Sequence, residues 1–295
     1  VGCYKPLAAW RHADGEVYFG KERPDSRELE LPCGKCIGCR TTRQRAWAIR
    51  ILHESQMHEH NQFVTLTYDD EHYTPQLNYR HFQQFMKAVR HKNGPTRYFA
   101  VGEYGTQTRR PHFHAILFGL ALQDGTPCGK NIKTSQELTK LWPHGFSSYG
   151  QVTYQSASYV AGYVLKKLSG TSDTADTKIG RKYAGVNLDT GEMIKLEPEM
   201  AHMSLKPGIG YTWFQKYWKE IYIARDGVVL KGGKQIPAPR YYDKLLELMA
   251  SEIKETKDYE RHVRAKQFEK ENTTARLKVR EQVAIARSLQ RERTL

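Results

Sequence analysis

The sequence predicts an α+β fold in which helices cover one face of an antiparallel sheet. Three observations predict it. Phe63–Tyr68 is β-branched and aromatic, and Arg97–Tyr104 and 111–118 alternate in the manner of strands. Only the short turn 105–110 separates the last two, which makes them an antiparallel hairpin. Between and after these strands the apolar residues recur at helical spacing, giving the order strand, helix, strand, strand, helix.

Taken in order, residues 1–40 read as loop, with proline, glycine and four of the five cysteines. Residues 41–60 read as a helix, with Trp47 and Ile51 one turn apart. After the strand at 63–68, Asn78 suits a helix cap and is followed by apolar Tyr79, Phe82, Phe85, Met86 and Val89. Gly94-Pro95 ends that helix. Residues 119–148 form an insertion with one short helix at 134–142, and Val152–Tyr154 reads as a strand. Ser156 or Ser158 caps a helix that ends by Gly170. The run 170–182 is polar and reads as mobile. Residues 211–223 are helical and aromatic, 226–240 hold turns, and the chain from Tyr241 onward is a charged helical tail. The expected division is a Cys-rich element over 1–45, a core over 46–225 and a turn region with the tail over 226–295.

The 295 residues carry 46 Lys+Arg against 32 Asp+Glu, a net charge of +14. That excess suits a polyanionic partner, nucleic acid or an anionic membrane surface. No apolar run approaches the ~20 residues of a membrane span, and the N-terminus lacks the apolar core of a signal peptide. The expectation is a soluble cytosolic protein, whose cysteines serve as metal ligands or free thiols rather than disulfides.

Two strings carry chemistry. In Arg110-Pro-His112-Phe-His114-Ala-Ile-Leu-Phe118, strand alternation puts His112, His114, Ile116 and Phe118 on one face. Imidazoles whose roots lie about 7 Å apart converge on one divalent ion. A hairpin closing at 106–110 brings Glu103 beside His112, and two histidines with one carboxylate leave coordination positions open, as a catalytic ion requires. The carboxylate supplies hard oxygen for Mg²⁺ or Mn²⁺. In the second string, Tyr159-Val-Ala-Gly-Tyr163-Val-Leu-Lys166-Lys167, spacing i, i+4 stacks two phenols on one helix face. Val160, Val164 and Leu168 make the apolar stripe opposite. Lys166 and Lys167, one turn on, favour the phenolate.

Together Phe63–Tyr68, Pro111-His-Phe-His114 and Tyr159-xxx-Tyr163 resemble the three motifs of the HUH endonucleases of the rolling-circle type. The two-tyrosine form is similar to the replication initiators of microviruses. Pro32-Cys33-Gly-Lys-Cys36-Ile-Gly-Cys39-Arg40 and Pro207-Gly-Ile-Gly-Tyr-Thr-Trp213 resemble the gokushovirus branch. The resemblance covers most of 1–240. It implies a five-stranded antiparallel sheet of ferredoxin-like ancestry, with Glu103, His112 and His114 holding Mg²⁺ or Mn²⁺. It implies a nick in one strand at the origin of single-stranded or supercoiled circular DNA, a 5′-phosphotyrosyl link to Tyr159 or Tyr163, and a 3′-OH for the host polymerase. The second tyrosine then serves strand rejoining. Some relatives carry a lysine between the tyrosines where Gly162 stands here. No helicase motif is present, which assigns unwinding to a host helicase in the bacterial cytoplasm.

Cys33, Cys36 and Cys39 form two x₂ spacings in series, and Cys3 completes four sulfurs suited to structural Zn²⁺. An iron–sulfur cluster is the rival, and free thiols the plain alternative. Arg40, Arg43, Arg45, Arg109 and Arg110 are candidate DNA contacts, and Thr65 and Thr67, alternating on the motif strand, shape the site or touch DNA, although threonine is also simply a good strand former. The rival functions are a noncatalytic DNA-binding protein, a two-tyrosine transposase or a relaxase of the same chemistry, and a metal-dependent oxygenase.

Overall fold

The computed structural model describes residues 2–105, 108–168, 184–186 and 193–292, apart from the side chains of 163–168, 184–186, 193–194 and 291–292. The polar run expected at 170–182 lies outside the described residues. Two compact units divide the chain. One is Gln44–Leu248, and the other joins the chain up to Arg43 with the chain from Met249. No described helix is long and apolar enough to cross a membrane.

In the larger unit the strands are β4 (Asn61–Tyr68), β5 (Arg97–Tyr104), β6 (Pro111–Phe118), β7 (Thr126–Gly129), β8 (Ile132–Thr134), β9 (Gly145–Gln151) and β12 (Met200–Met203). They form one seven-stranded sheet in the order β12-β5-β6-β4-β9-β8-β7, antiparallel at every described pairing. The expected sheet had five strands. The two added strands, β7 and β8, are a hairpin within the 119–148 insertion. Its residues are exposed and mixed in character, so no alternation marks them. The strand expected at 152–154 is not there: residues 152–153 lie in no element, Tyr154 begins a helix, and the strand of this stretch is β9, Gly145–Gln151. Its sequence, Gly-Phe-Ser-Ser-Tyr-Gly-Gln, has no β-branched residue.

Helices pack on both faces, not on one. The helix α2 (Tyr79–Asn93) buries Phe82, Phe85, Met86 and Val89 against Val64, Leu66, Tyr68, Phe113, Ala115 and Leu117, joined by Leu138 of α3 (Gln136–Leu141). On the other face Ala48 and Ile51 of α1 (Ile37–Ser55), with Ala157 and Val160 of α4 (Tyr154–Leu168), pack against Phe99, Val101, Ile116 and Phe118. The reason lies in β6: the run Ala115-Ile-Leu-Phe118 is apolar at both alternating positions, so each face needs cover. Asn78 caps α2 by accepting from the Arg80 N–H, and Gly94, at φ 79°, ends it. The helix α4 begins before the expected serine cap. Thr153 accepts from the Ser156 N–H (3.1 Å), and the Ser156 hydroxyl accepts from the Thr153 N–H (2.8 Å), a reciprocal cap.

The aromatic helix expected at 211–223 is α5 (Tyr211–Lys219), continued by a π-helical turn over Glu220–Arg225. Trp213 stacks on His53 with ring centroids 3.4 Å apart, and His53 Nδ1 meets the Tyr242 hydroxyl at 2.9 Å. Burial pushes the His53 imidazole down to about 3. Beside it Glu54, buried, accepts from Arg97 Nε (2.5 Å) and the Gly210 N–H (2.6 Å).

The segment 1–40, expected as loop, contains a three-stranded sheet of β1 (Leu7–His12), β2 (Val17–Tyr18) and β3 (Ser26–Leu31). Its strands bury little, so hydrophobic alternation is faint. The small pairs β10 (Ala184–Val186) with β11 (Met193–Lys195), and β13 (Val228–Val229) with β14 (Gln235–Ile236), complete the strands among the described residues. The tail from 241 is helical, as α6 (Arg240–Met249), α7 (Ser251–Lys266) and α8 (Thr274–Glu292).

Candidate active site

The site is a patch of the sheet face covered by α1 and α4. Antiparallel register builds it in two rows. Glu103 on β5 pairs with His112 on β6, His112 with Thr67 on β4, and Thr67 with Phe146 on β9. The next row is Val101, His114, Thr65 and Ser148. Residues two apart on a strand share a face, so both histidines and Glu103 converge. Glu103 Oε1 lies 3.0 Å from His112 Nε2 and 3.2 Å from His114 Nε2. Glu103 is 4 % exposed and His114 7 %.

The outer nitrogens are held too. His112 Nδ1 faces the Arg110 carbonyl at 3.1 Å, and His114 Nδ1 faces the Thr65 hydroxyl at 3.0 Å. A carbonyl only accepts, so His112 Nδ1 carries a proton. His112 Nε2 then faces a second acceptor, the Glu103 carboxylate, so a proton lies between them in the metal-free site and a cation takes that proton's place when bound. Burial would raise the Glu103 carboxyl, but hydrogen bonds from both imidazoles outweigh it and hold it at about 2. Burial lowers the His114 imidazole, which favours the neutral form with a lone pair to give. One carboxylate oxygen and two imidazole nitrogens within 4.8 Å of one another are a donor set that fits a divalent cation with open positions.

Tyr159 brings its hydroxyl 3.4 Å from His114 Nε2, while 45 % of the residue is exposed. Phe63 orients both, stacking on His114 with centroids 5.5 Å apart and meeting Tyr159 edge-on. Tyr163, Lys166 and Lys167 follow on α4, and their side chains lie outside the described residues. A cavity of about 340 Å³ has Phe63 and Thr65, the neighbours of His114, in its lining together with Lys130, Ser148, Gln155 and Ser156.

Thr65, expected to shape the site or touch DNA, sets its hydroxyl against His114. One feature was not read from the sequence. Phe146 shares the face of His112, two strands away, and is 70 % exposed. Only the register shows this, since β9 has no β-branched residue and no alternation to mark it. Arg110 is engaged elsewhere, donating from Nη1 to the Tyr68 carbonyl (2.8 Å) and pairing with Asp70. Arg109 lies over the Tyr104 ring, 5.4 Å from its centre. Arg40, Arg43 and Arg45 lie on the first turns of α1. The sulfurs of Cys3, Cys33, Cys36 and Cys39 also gather within 4.8 Å of one another, in the smaller unit.

A family model described as replication-associated protein ORF2/G2P matches residues 61–168, the stretch from β4 through α4. The chain is 36% identical to replication-associated protein VP4 of Bdellovibrio phage phiMH2K over 258 residues, 81% of this chain and 75% of that protein. It is 34% identical to replication-associated protein ORF2 of Spiroplasma virus 4, over 74% of this chain and 68% of that protein. With replication-associated protein ORF4 of Chlamydia phage 1 it shares 28% identity, over 76% of this chain and 55% of that protein. No solved structure matches the chain.

Proposed function

The chain belongs to the replication-associated protein family of the microvirus phages, and on that footing we propose that it starts rolling-circle replication by nicking one DNA strand through a tyrosine transesterification. The observation that carries this reading is the Tyr159 hydroxyl standing 3.4 Å from an imidazole of the Glu103, His112, His114 cluster.

In this reading Glu103, His112 and His114 hold Mg²⁺ or Mn²⁺; the mixed oxygen and nitrogen set suits either. When bound, such an ion supplies Lewis-acid polarisation of the scissile phosphate. The residues do the rest. The Arg110 carbonyl and the Thr65 hydroxyl fix the two imidazoles so that both Nε2 atoms face the carboxylate. Phe63 holds Tyr159 over His114. The Tyr159 oxygen attacks phosphorus as the bond to the 3′ oxygen breaks. The phenol loses its proton and the departing 3′ oxygen gains one, leaving a 5′-phosphotyrosyl link and a free 3′-OH. One ester replaces another, so the bond energy is kept for rejoining. Tyr163, one turn along α4, is the second nucleophile, with Lys166 and Lys167 as phosphate partners.

DNA reaches this face as a single strand. Phe146 offers a base a stacking surface in the row of His112, and the basic chain supplies phosphate contacts, Arg40, Arg43, Arg45 and Arg109 among them. Arg110 orders the end of β4, and Thr67 lines the face. The substrate is the origin of circular phage DNA inside a bacterial host, whose polymerase extends the 3′-OH and whose helicase opens the duplex.

The test is a covalent-adduct assay on single-stranded circular DNA with Mn²⁺, resolved on a denaturing gel. The expected adduct disappears with a chelator and in His112→Ala/His114→Ala. A protein that binds the DNA yet forms no adduct contradicts the reading and leaves a noncatalytic DNA-binding role.

A further inference from the structure

The cysteine cluster belongs to the smaller unit and is independent of the nicking chemistry. Its sulfurs have the spacing of a single metal ion's ligands. Cys3 Sγ lies 3.8 Å from Cys36 Sγ, and Cys33 Sγ lies 4.0 Å from Cys39 Sγ. All four lie within 4.8 Å of one another. A tetrahedral zinc with Zn–S bonds of about 2.3 Å has sulfur–sulfur edges of about 3.8 Å. A four-iron cluster binds each thiolate to a different iron and spreads the sulfurs wider.

The backbone is arranged to receive thiolates. The Cys33 and Lys5 N–H groups donate to Cys3 Sγ at 3.2 and 3.3 Å. The Cys36 N–H donates to Cys33 Sγ at 3.3 Å, and the Tyr4 and Cys39 N–H groups to Cys36 Sγ at 3.4 Å. Such donors stabilise negative sulfur, which neutral thiols do not need. Two glycines make the geometry possible. Gly34 sits at φ +75° in the turn between Cys33 and Cys36. A Cβ on Gly38 would lie 2.3 Å from the Gly2 carbonyl oxygen and 2.9 Å from the Tyr4 ring, so only glycine admits the N-terminal segment that carries Cys3.

The apolar core of the unit is thin. Among its described residues, the buried apolar side chains are Ala9, Tyr18, Cys36 and Leu277. A core this thin needs a staple. A tetrathiolate ion, doubly negative, is moreover favoured where the cluster meets the first turn of α1, which begins at Ile37.

We propose that Cys3, Cys33, Cys36 and Cys39 hold one Zn²⁺ in a closed, structural site that fixes the start of the chain to the N-terminus of α1. Four protein ligands leave no open position, so this ion takes no part in phosphate chemistry.

The test is metal analysis of the full chain purified without added metal, in native form and as Glu103→Gln/His112→Ala/His114→Ala. The expected result is one zinc and no iron per chain in both. A mercurial thiol reagent then releases that zinc, as followed with a zinc indicator dye, in step with modification of four thiols. Cys128→Ser leaves both the zinc content and its release unchanged. Replacement by Co²⁺ is expected to give the visible bands of a tetrahedral thiolate site. Folded native protein with no zinc and freely titrating cysteines overturns the proposal, as does stoichiometric iron with acid-labile sulfide. Zinc that is lost in the triple variant assigns the ion to the histidine site and overturns it too.

Discussion

Replacing Glu103 by glutamine keeps the shape of the side chain and removes its charge. The carboxyl titrates at about 2 in place of its ordinary 4.5, so its charged form is favoured in the fold by about 3 kcal/mol at neutral pH. The folded value is the lower one. The contribution is therefore complete well above the unfolded value and is lost as pH falls through the folded value. Glu103→Gln should lower the stability of the metal-free protein by about 3 kcal/mol at pH 7. For a unit of this size that is a loss of about 6–12 °C in the melting midpoint. It should also weaken Mn²⁺ binding at the histidines by about 100-fold or more, since losing even an outer partner of a metal site costs ~10–100-fold. Urea unfolding at pH 7 and pH 3 reads the first effect, and calorimetric Mn²⁺ titration reads the second. A variant as stable as the native chain, with unchanged Mn²⁺ affinity, would refute the account of Glu103 as the charge around which both imidazoles are organised.

Other perturbations separate the site from its scaffold. Phe146→Ala should weaken single-stranded DNA binding by about 1–3 kcal/mol while leaving the melting temperature unchanged; unaltered affinity in a filter-binding titration removes Phe146 from the DNA path. Glu54→Ala leaves the buried Gly210 N–H without its acceptor and the Arg97 guanidinium with its contact to the Pro207 carbonyl, and should cost about 1–3 kcal/mol of stability by urea denaturation. His53, lowered by burial to about 3, stays neutral in the fold while the unfolded imidazole takes a proton below about 6.5. The stability it contributes is whole above that pH and is lost as pH falls toward 3, by about 2 kcal/mol at pH 5. His53→Phe should show that much less acid sensitivity between pH 7.5 and 5.

The parts of this architecture legible in the sequence are those where local chemistry and tertiary role agree. The alternation of His112 and His114, and a turn short enough to bring Glu103 opposite His112, follow from strand period alone. Asn78 and Gly94 mark the ends of α2 for the same reason. What escaped is set by packing at a distance. β9 has no β-branched residue, and its two aromatics, Phe146 and Tyr149, fall on opposite faces without alternation, so Phe146 gave no sign of its place beside the histidines. The hairpin β7–β8 extends that edge with exposed residues. Helices on both faces follow from Ala115–Phe118, whose apolar run lacks a polar side. Thr65, expected from its strand alternation to shape the site or touch DNA, has its partner fixed by the register, which sets its hydroxyl against His114 Nδ1.

The account is tested most directly by finding which atom carries the DNA. A single-turnover reaction with Mn²⁺ and end-labelled single-stranded origin DNA would be digested with protease and nuclease, and the modified peptide sequenced by mass spectrometry. The account predicts a 5′-phosphonucleotide on Tyr159 in the first turnover, and its loss in Tyr159→Phe. A nucleotide on a residue outside α4, or a nick made in Mn²⁺ with no covalent peptide, would contradict it.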